Sequence, residues 1–231
     1  MYQKLARFFN KVVDLRFGNV SYAQEGEDLL LNRIFENHLE GVYVDVGAHH
    51  PKRFSNTYIF YKKGWRGINI DPMPKSMDVF NKIRPLDINL EVGISKVEQT
   101  LTYYMFDEPA LNGFNLKVAE ERNDHTNYSI IDRKQIKTLP LHQVLDSYLS
   151  ENKRISFLSV DVEGLDLVVL ESNNWEKYRP TIILVEILHS CIEDILKSDI
   201  NLFLESKNYT LYCKTPNTVF YRNVDDINLV S

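Results

Sequence analysis

Cysteine is almost absent: Cys191 and Cys213 are the only two, spaced for neither a disulfide framework nor a metal finger, so both read as reduced thiols without a redox role. Positive charge is in deficit. With 27 Lys and Arg against 32 Asp and Glu, the net charge of -5 leaves no global cationic field, which argues against nucleic acid and for small-molecule partners. No uninterrupted apolar run is long enough to span a bilayer, and the apolar core and small-residue cleavage site of a signal peptide are missing, so a cytoplasmic location is expected. Glycine is sparse and never falls into G-x-G-x-x-G, which counts against a nicotinamide dinucleotide. Internal repeats, low-complexity tracts and contiguous metal motifs are missing too.

What is present begins with length. A chain of 231 residues that is 44% hydrophobic can bury one good core and is short for two, so a single domain over 1–231 is expected. Its first 40 residues read as a helical extension. Within them, Tyr2 to Phe17 places Leu5, Phe8, Phe9, Val12 and Leu15 at helical spacing among Lys4, Arg7, Lys11 and Arg16. Such a basic amphipathic helix packs on its own domain, pairs two subunits into a homodimer, or touches a membrane surface peripherally; these alternatives stay open. A second helix is expected over Glu25 to Asn37.

From Val42 onward strand and helix patterns alternate. Strands are expected at Val42–Val46, Gly67–Ile70, Asn89–Ile94, Phe157–Val160 and Thr181–Ile187. Helices are expected from near Ser55 and around Lys75–Lys82, Leu141–Leu149 and Leu165–Leu170. This order predicts an α/β fold with a mostly parallel sheet covered on both faces. Tyr209–Cys213 and Thr218–Tyr221 flank Lys214-Thr215-Pro216-Asn217, a hairpin signal, so a reversed strand joins the sheet last. A dinucleotide domain would usually continue parallel; the reversed hairpin favours the seven-stranded, Rossmann-like sheet of class I methyltransferases. Between Phe106 and Lys137 lies a polar stretch too long and irregular for an ordinary connection, read as a substrate-facing insertion over 106–137.

Two strands end on an acid: Val42-Tyr43-Val44-Asp45-Val46-Gly47-Ala48 and Gly67-Ile68-Asn69-Ile70-Asp71. An acid at the end of the second strand suits ribose hydroxyls, with an Asp71-Pro72 turn as the plain alternative. Gly47 admits close backbone approach, and free N–H groups at the next helix start would suit a carboxylate. Phe157-Leu158-Ser159-Val160-Asp161-Val162-Glu163-Gly164 ends on two carboxylates one residue apart, which on an extended strand share a face. One of Asp161 and Glu163 would hold the cofactor's amino group while the other accepts a hydroxyl proton. Glu186 and His189 end the next strand beside them, His189 being the preferred catalytic histidine. A divalent metal on Asp161 and Glu186 with His49, His50 or His189 is the less favoured alternative. Tyr58, Trp65 and Tyr103 read as core or wall aromatics.

Taken together, Tyr22-Ala23-Gln24-Glu25-Gly26-Glu27-Asp28, Tyr43-Val44-Asp45-Val46-Gly47-Ala48, Ser55-Asn56-Thr57, Gly64-Trp65-Arg66-Gly67, Asp71-Pro72 and Ser159-Val160-Asp161-Val162-Glu163-Gly164 resemble the FkbM family of S-adenosylmethionine-dependent methyltransferases. The likeness runs from about Ser21 to Glu186. It implies S-adenosylmethionine as cofactor and O-methylation of a sugar hydroxyl or another small-molecule or glycan acceptor, in surface polysaccharide or secondary-metabolite biosynthesis. It also implies cofactor contacts at Gln24, Asp45, Gly47, Ala48, Ser55, Asn56, Asp71 and Asp161; Ser55 and Asn56 equally suit a helix N-cap. A non-catalytic relative that keeps the fold as a binding or scaffolding module is the alternative, ahead of a nicotinamide enzyme.

Overall fold

The computed structural model describes residues 18–150, 153–188 and 191–226; the segment Tyr2–Phe17 and His189 lie outside them. Among the described residues the central sheet has seven strands in the order β3-β2-β1-β7-β8-β10-β9. These are β1 (Val42–Val46), β2 (Arg66–Ile70), β3 (Ile88–Leu90), β7 (Phe157–Val160), β8 (Ile182–Glu186), β9 (Tyr209–Lys214) and β10 (Thr218–Asn223). All neighbours are parallel except β10, which runs against both β8 and β9. The expected reversed hairpin is present.

The inner strands form because they can be buried on both sides. Every residue of Val42-Tyr43-Val44-Asp45-Val46 is buried, so β1 carries no polar alternation and reads as a continuous run. Period two still sorts its neighbours. Tyr43 and its register partner Phe157 stack at 5.8 Å on one face, joining Phe35, Phe60 and Trp65 beneath the helices α1 (Glu27–Ile34) and α2 (Tyr58–Lys62). Val44, Leu158 and Ile183 face the other way, into the larger core covered by α5 (Leu141–Tyr148), α6 (Asp166–Glu171) and α8 (Asp199–Ser206). The short helix α7 (Ile192–Lys197) precedes α8, and the patterning showed neither of them.

Two expectations are corrected. The strand expected over Asn89–Ile94 is broken after Leu90: β3 stays in the central sheet, while β4 (Gly93–Ile94) pairs with β6 (Ile130–Leu139) in a second sheet of order β4-β6-β5. The stretch expected over 106–137 to be irregular is ordered and belongs to an excursion that opens earlier, with β5 (Gln99–Phe106). It continues through a 3-10 turn (Pro109–Leu111), helix α4 (Leu116–His125) and β6, with β5 and β6 antiparallel from Gln99↔Thr138 to Phe106↔Ile130. The reason is solvent. Most of β6 is exposed on both sides, so its sequence lacks the apolar alternation by which a strand is recognised. After β2 come α3 (Ser76–Ile83) and a buried arginine, Arg84, discussed below.

Candidate active site

Register decides what meets at the carboxyl ends of the parallel strands. Val46 is opposite Ile70 on β2 and opposite Val160 on β7, and Val160 is opposite Val185 on β8. The next residue on each strand therefore falls into one row: Asp71, Gly47, Asp161, Glu186. Strands about 4.8 Å apart make this a short, dense line. It crosses the point between β1 and β7 where strand order reverses, the place where open α/β sheets leave a crevice. A cleft of about 370 Å³ opens there, and all four residues line it. Gln24, His49, Arg53 and Phe54 border it as well, with Ile70, Val92, Ile94, Tyr103 and Phe114 forming an apolar wall.

Gly47 is required by this closure. Its φ is +85°, and a Cβ there would lie 1.7 Å from the carbonyl oxygen of Asp161. What approaches the glycine is thus the end of β7, not only whatever the cleft takes. The expected free N–H groups behind it are also corrected. Gly47 and Ala48 donate to Ile70 O at 2.9 and 3.1 Å, and His49 N donates to Asp71 Oδ2 at 2.8 Å. The next helix starts only at Tyr58, and Ser55 Oγ already accepts from Tyr58 N. Asp71 Oδ1 accepts from Met73 N at 2.8 Å, the Asp-Pro turn foreseen as an alternative. Each oxygen keeps acceptor capacity toward the cleft. Burial pushes the Asp71 carboxyl up to about 6 against these hydrogen bonds.

The other end of the row is a concentration of acid. Oxygens of Asp161, Glu163 and Glu186 lie within 4.8 Å of one another, the one group among the described residues close enough to share a divalent cation. His49 and His50 stay apart from it: His49 stacks on Phe54, and His50 Nδ1 accepts from Lys52 N and Arg53 N. The shared face expected for Asp161 and Glu163 does not come from strand alternation, because β7 stops at Val160. A turn brings them together, with Glu163 and Gly164 both left-handed at φ 56° and 93°. Asp166 holds that turn, accepting from Val162 N and Gly164 N at 3.2 Å each. An Asp in the first turn after a glycine is a helix-start signal that could have been read from the sequence.

Charge in this cluster is only partly balanced. Asp161 is reached from the cleft but ringed by protein, and burial followed by Glu186 and Glu163 pushes its carboxyl well up. Burial and then Glu163 push Glu186 up to about 8. Glu163 is raised by burial and pulled back by Arg122, which comes from α4 of the insertion and pairs with its Oε2. The insertion seals itself onto this corner, with Asn115 Nδ2 donating to Gly164 O at 3.3 Å. A second ion pair crosses the mouth of the cleft, where Arg53 meets both carboxylate oxygens of Glu108 at 3.1 and 3.2 Å.

Gln24 reaches the cleft because acids organise its loop. Asp28 accepts from Ser21 Oγ and Tyr22 N, and Glu25 accepts from both nitrogens of Asn217 at the β9–β10 turn. Asn56 enters a narrow side recess, donating to Ser159 Oγ at 3.1 Å. The side chains of Asp45, Ala48 and Ser55, expected at the cofactor, meet protein partners in this structure. Asp45 accepts from Thr57 Oγ1, and Ala48 packs on Met77 and Phe80. Ser55 and Thr57 both accept from Arg84, which is fully buried and also donates to Pro51 O and Asn69 Oδ1. Tyr103 walls the cleft against Phe114 at 4.9 Å, while Trp65 lies in the core. Arg84 and Arg122 carry no signal in the sequence that marks them.

Sheet order, reversed β10 and a crevice rimmed by acids define a class I methyltransferase fold. The family model described as the methyltransferase FkbM domain matches residues 45–211, and the chain belongs to that family. Among solved structures it is similar to the methyltransferase FkbM from Methylobacillus flagellatus KT, with a TM-score of 0.50 at 15% identity, covering 80% of this chain and 44% of that one. At this identity the likeness speaks for the fold, and the chain spans less than half of that protein. A protein provisionally assigned as an rRNA methylase from Clostridium thermocellum matches at 10% identity over 86% of this chain and 97% of that one, with a TM-score of 0.44 too low to carry an argument. No curated protein matches the chain. No helix among the described residues is long and apolar enough to cross a membrane.

Proposed function

We propose that the chain transfers a methyl group from S-adenosylmethionine to a hydroxyl oxygen of a small polar acceptor, a sugar or glycoconjugate. The observation that carries this reading is the row Asp71, Gly47, Asp161, Glu186 along a single cleft, with one acid at the end suited to ribose hydroxyls and two at the end suited to accepting a proton. The donors fit the cofactor. The cleft volume of about 370 Å³ suits a nucleoside-sized ligand, Asp71 keeps acceptor capacity for ribose hydroxyls, and the amides of Gln24 and Asn56 flank the remaining length. When bound, the cofactor supplies an electrophilic methyl on a sulfonium.

The chain's own residues then have two tasks, alignment and proton removal. Glu163 is held by Arg122 and stays with it. Asp161, reached from the cleft, and Glu186, half-buried beside it, share the proton-accepting role, and the value of about 8 for Glu186 is close to a working pH. The insertion lines the cleft from Glu108 to Phe114 and is the natural seat of the acceptor. The test is a calorimetric titration with S-adenosylmethionine, S-adenosylhomocysteine and NAD, followed by incubation of labelled S-adenosylmethionine with a panel of glycans. Binding of the first two but not NAD, with label passing to a hydroxyl, supports the reading. Binding of neither leaves the scaffold alternative in possession.

A further inference from the structure

Arg122 belongs to the insertion, yet it ends at the reaction corner. One guanidinium nitrogen donates to Leu111 O at 3.1 Å and the other pairs with Glu163, both partners being largely shielded from solvent. Glu163 is itself held in place by a left-handed backbone and by Asp166, so the pair has little freedom to part. Burial raises both Glu163 and Glu186, and Arg122 is the cation that pulls each of them back. Asp71 stands at the far end of the same row, so a nucleoside cofactor held there by its ribose would turn its reactive end toward this corner. The corner carries the carboxylates of Asp161, Glu163 and Glu186, with Asp166 behind them, and one guanidinium.

We infer that Arg122 is a positioning residue that sets the charge met by the cofactor's sulfonium, so that the acceptor-side helix tunes the reaction centre. The inference rests on the methyl-transfer reading above. It predicts more than tight packing does, because S-adenosylmethionine and S-adenosylhomocysteine have nearly the same shape and differ by one positive charge. Their affinity ratio reads the local potential, and one protein charge a few ångströms away, even when screened as fully as in bulk water, shifts such a ratio about five- to ten-fold.

The experiment is calorimetric titration of the full chain with each of these two compounds, at about pH 9 so that proton uptake by Glu186, whose value is about 8, does not cancel the lost charge. Arg122→Gln is expected to raise the preference for S-adenosylmethionine about five- to ten-fold, with affinity for S-adenosylhomocysteine held within about two-fold. Glu163→Gln is expected to lower it in similar measure. Arg122→Lys should keep the wild-type ratio, and Arg122→Gln with Glu163→Gln should restore it, since the pair leaves together. If Arg122→Gln does not fold, Glu163→Gln and Arg122→Lys decide alone. A ratio unmoved in Glu163→Gln and Arg122→Gln, or both affinities falling in step, overturns the inference. Wild-type protein that binds neither compound overturns the methyl-transfer reading itself, a different result.

Discussion

Arg84, beneath the loop that follows β1, and Arg122, on the insertion, are both withdrawn from water and keep opposite company. Arg84 donates to Pro51 O, Ser55 Oγ, Thr57 Oγ1 and Asn69 Oδ1, and its carboxylate neighbour Asp87, 3.9 Å away, is itself satisfied by Tyr43, Gly67 and Asn69. Every donor has a partner. Arg122 enters a corner where acids outnumber it and where burial and crowding push carboxyl groups above their ordinary range. A buried charge fully surrounded by fixed neutral acceptors holds a structure together. A surplus of like charge left uncompensated stores sensitivity to protons and ligands, which is what a reaction site needs.

The contrast is broken most forcefully at Arg84. Arg84→Ala strands four acceptors and Asp87 in the core and is expected to cost about 3–5 kcal/mol or prevent folding, read by thermal unfolding. A loss under about 1 kcal/mol would show that the loop stands without it. On the other side, Asp161→Asn should cut turnover by about 10²- to 10⁴-fold while Tm stays level or rises, because one member of a repelling group is neutralised. A fall in Tm comparable to that of Arg84→Ala would place Asp161 with the scaffold. Asp71→Asn is predicted to weaken S-adenosylmethionine binding by about 1–2 kcal/mol in calorimetry, and wild-type affinity should decline below the value of about 6 for Asp71. Unchanged affinity would return Asp71 to its turn-closing role.

The subtlest test uses pH. Glu186, at about 8, and Asp71 and Asp166, at about 6, lie above the ordinary carboxylate range, so across the intervening pH the native state binds more protons than the unfolded chain. Stability from these groups is therefore fully present below about pH 4 and declines as pH rises toward 8. Thermal unfolding between about pH 5 and 8 should show Tm falling, with a shallower slope in Glu186→Gln. Arg84 adds no slope of its own, since it stays charged throughout. A Tm that climbs across this window would mean that the cluster is not crowded in solution.

Half of this contrast was legible in the sequence. Strands buried on both faces announce themselves as apolar runs, and the acids that end them, Asp71, Asp161 and Glu186, fall into one row once the runs are aligned. What the sequence does not distinguish is which way a motif residue turns. In Ser55-Asn56-Thr57 the middle side chain meets Ser159 beside the cleft, while its neighbours turn to Arg84. Asp45 has the look of a ligand and is tied to Thr57. Arg122 lies in a polar helix whose pattern gives no hint of a partner 41 residues away. Long-range ion pairs are set by tertiary placement, on which local periodicity is silent.

The neck of the insertion has a practical reading. Chain leaves the body at Ser95 and returns at Leu139, and there Ser95 N donates to Leu139 O at 3.0 Å while Ser95 Oγ and Thr138 Oγ1 meet at 2.7 Å. Departure and arrival are thus stitched side by side, as at the base of a removable cartridge. Because the two ends are already tied to each other, segments of different length and composition grafted between those points are expected to leave β1, β2, β7 and β8 in place. A transplanted segment that brings no counterpart of Arg122 would leave Glu163 without its ion-pair partner, so exchanging the roof means carrying one arginine along with it.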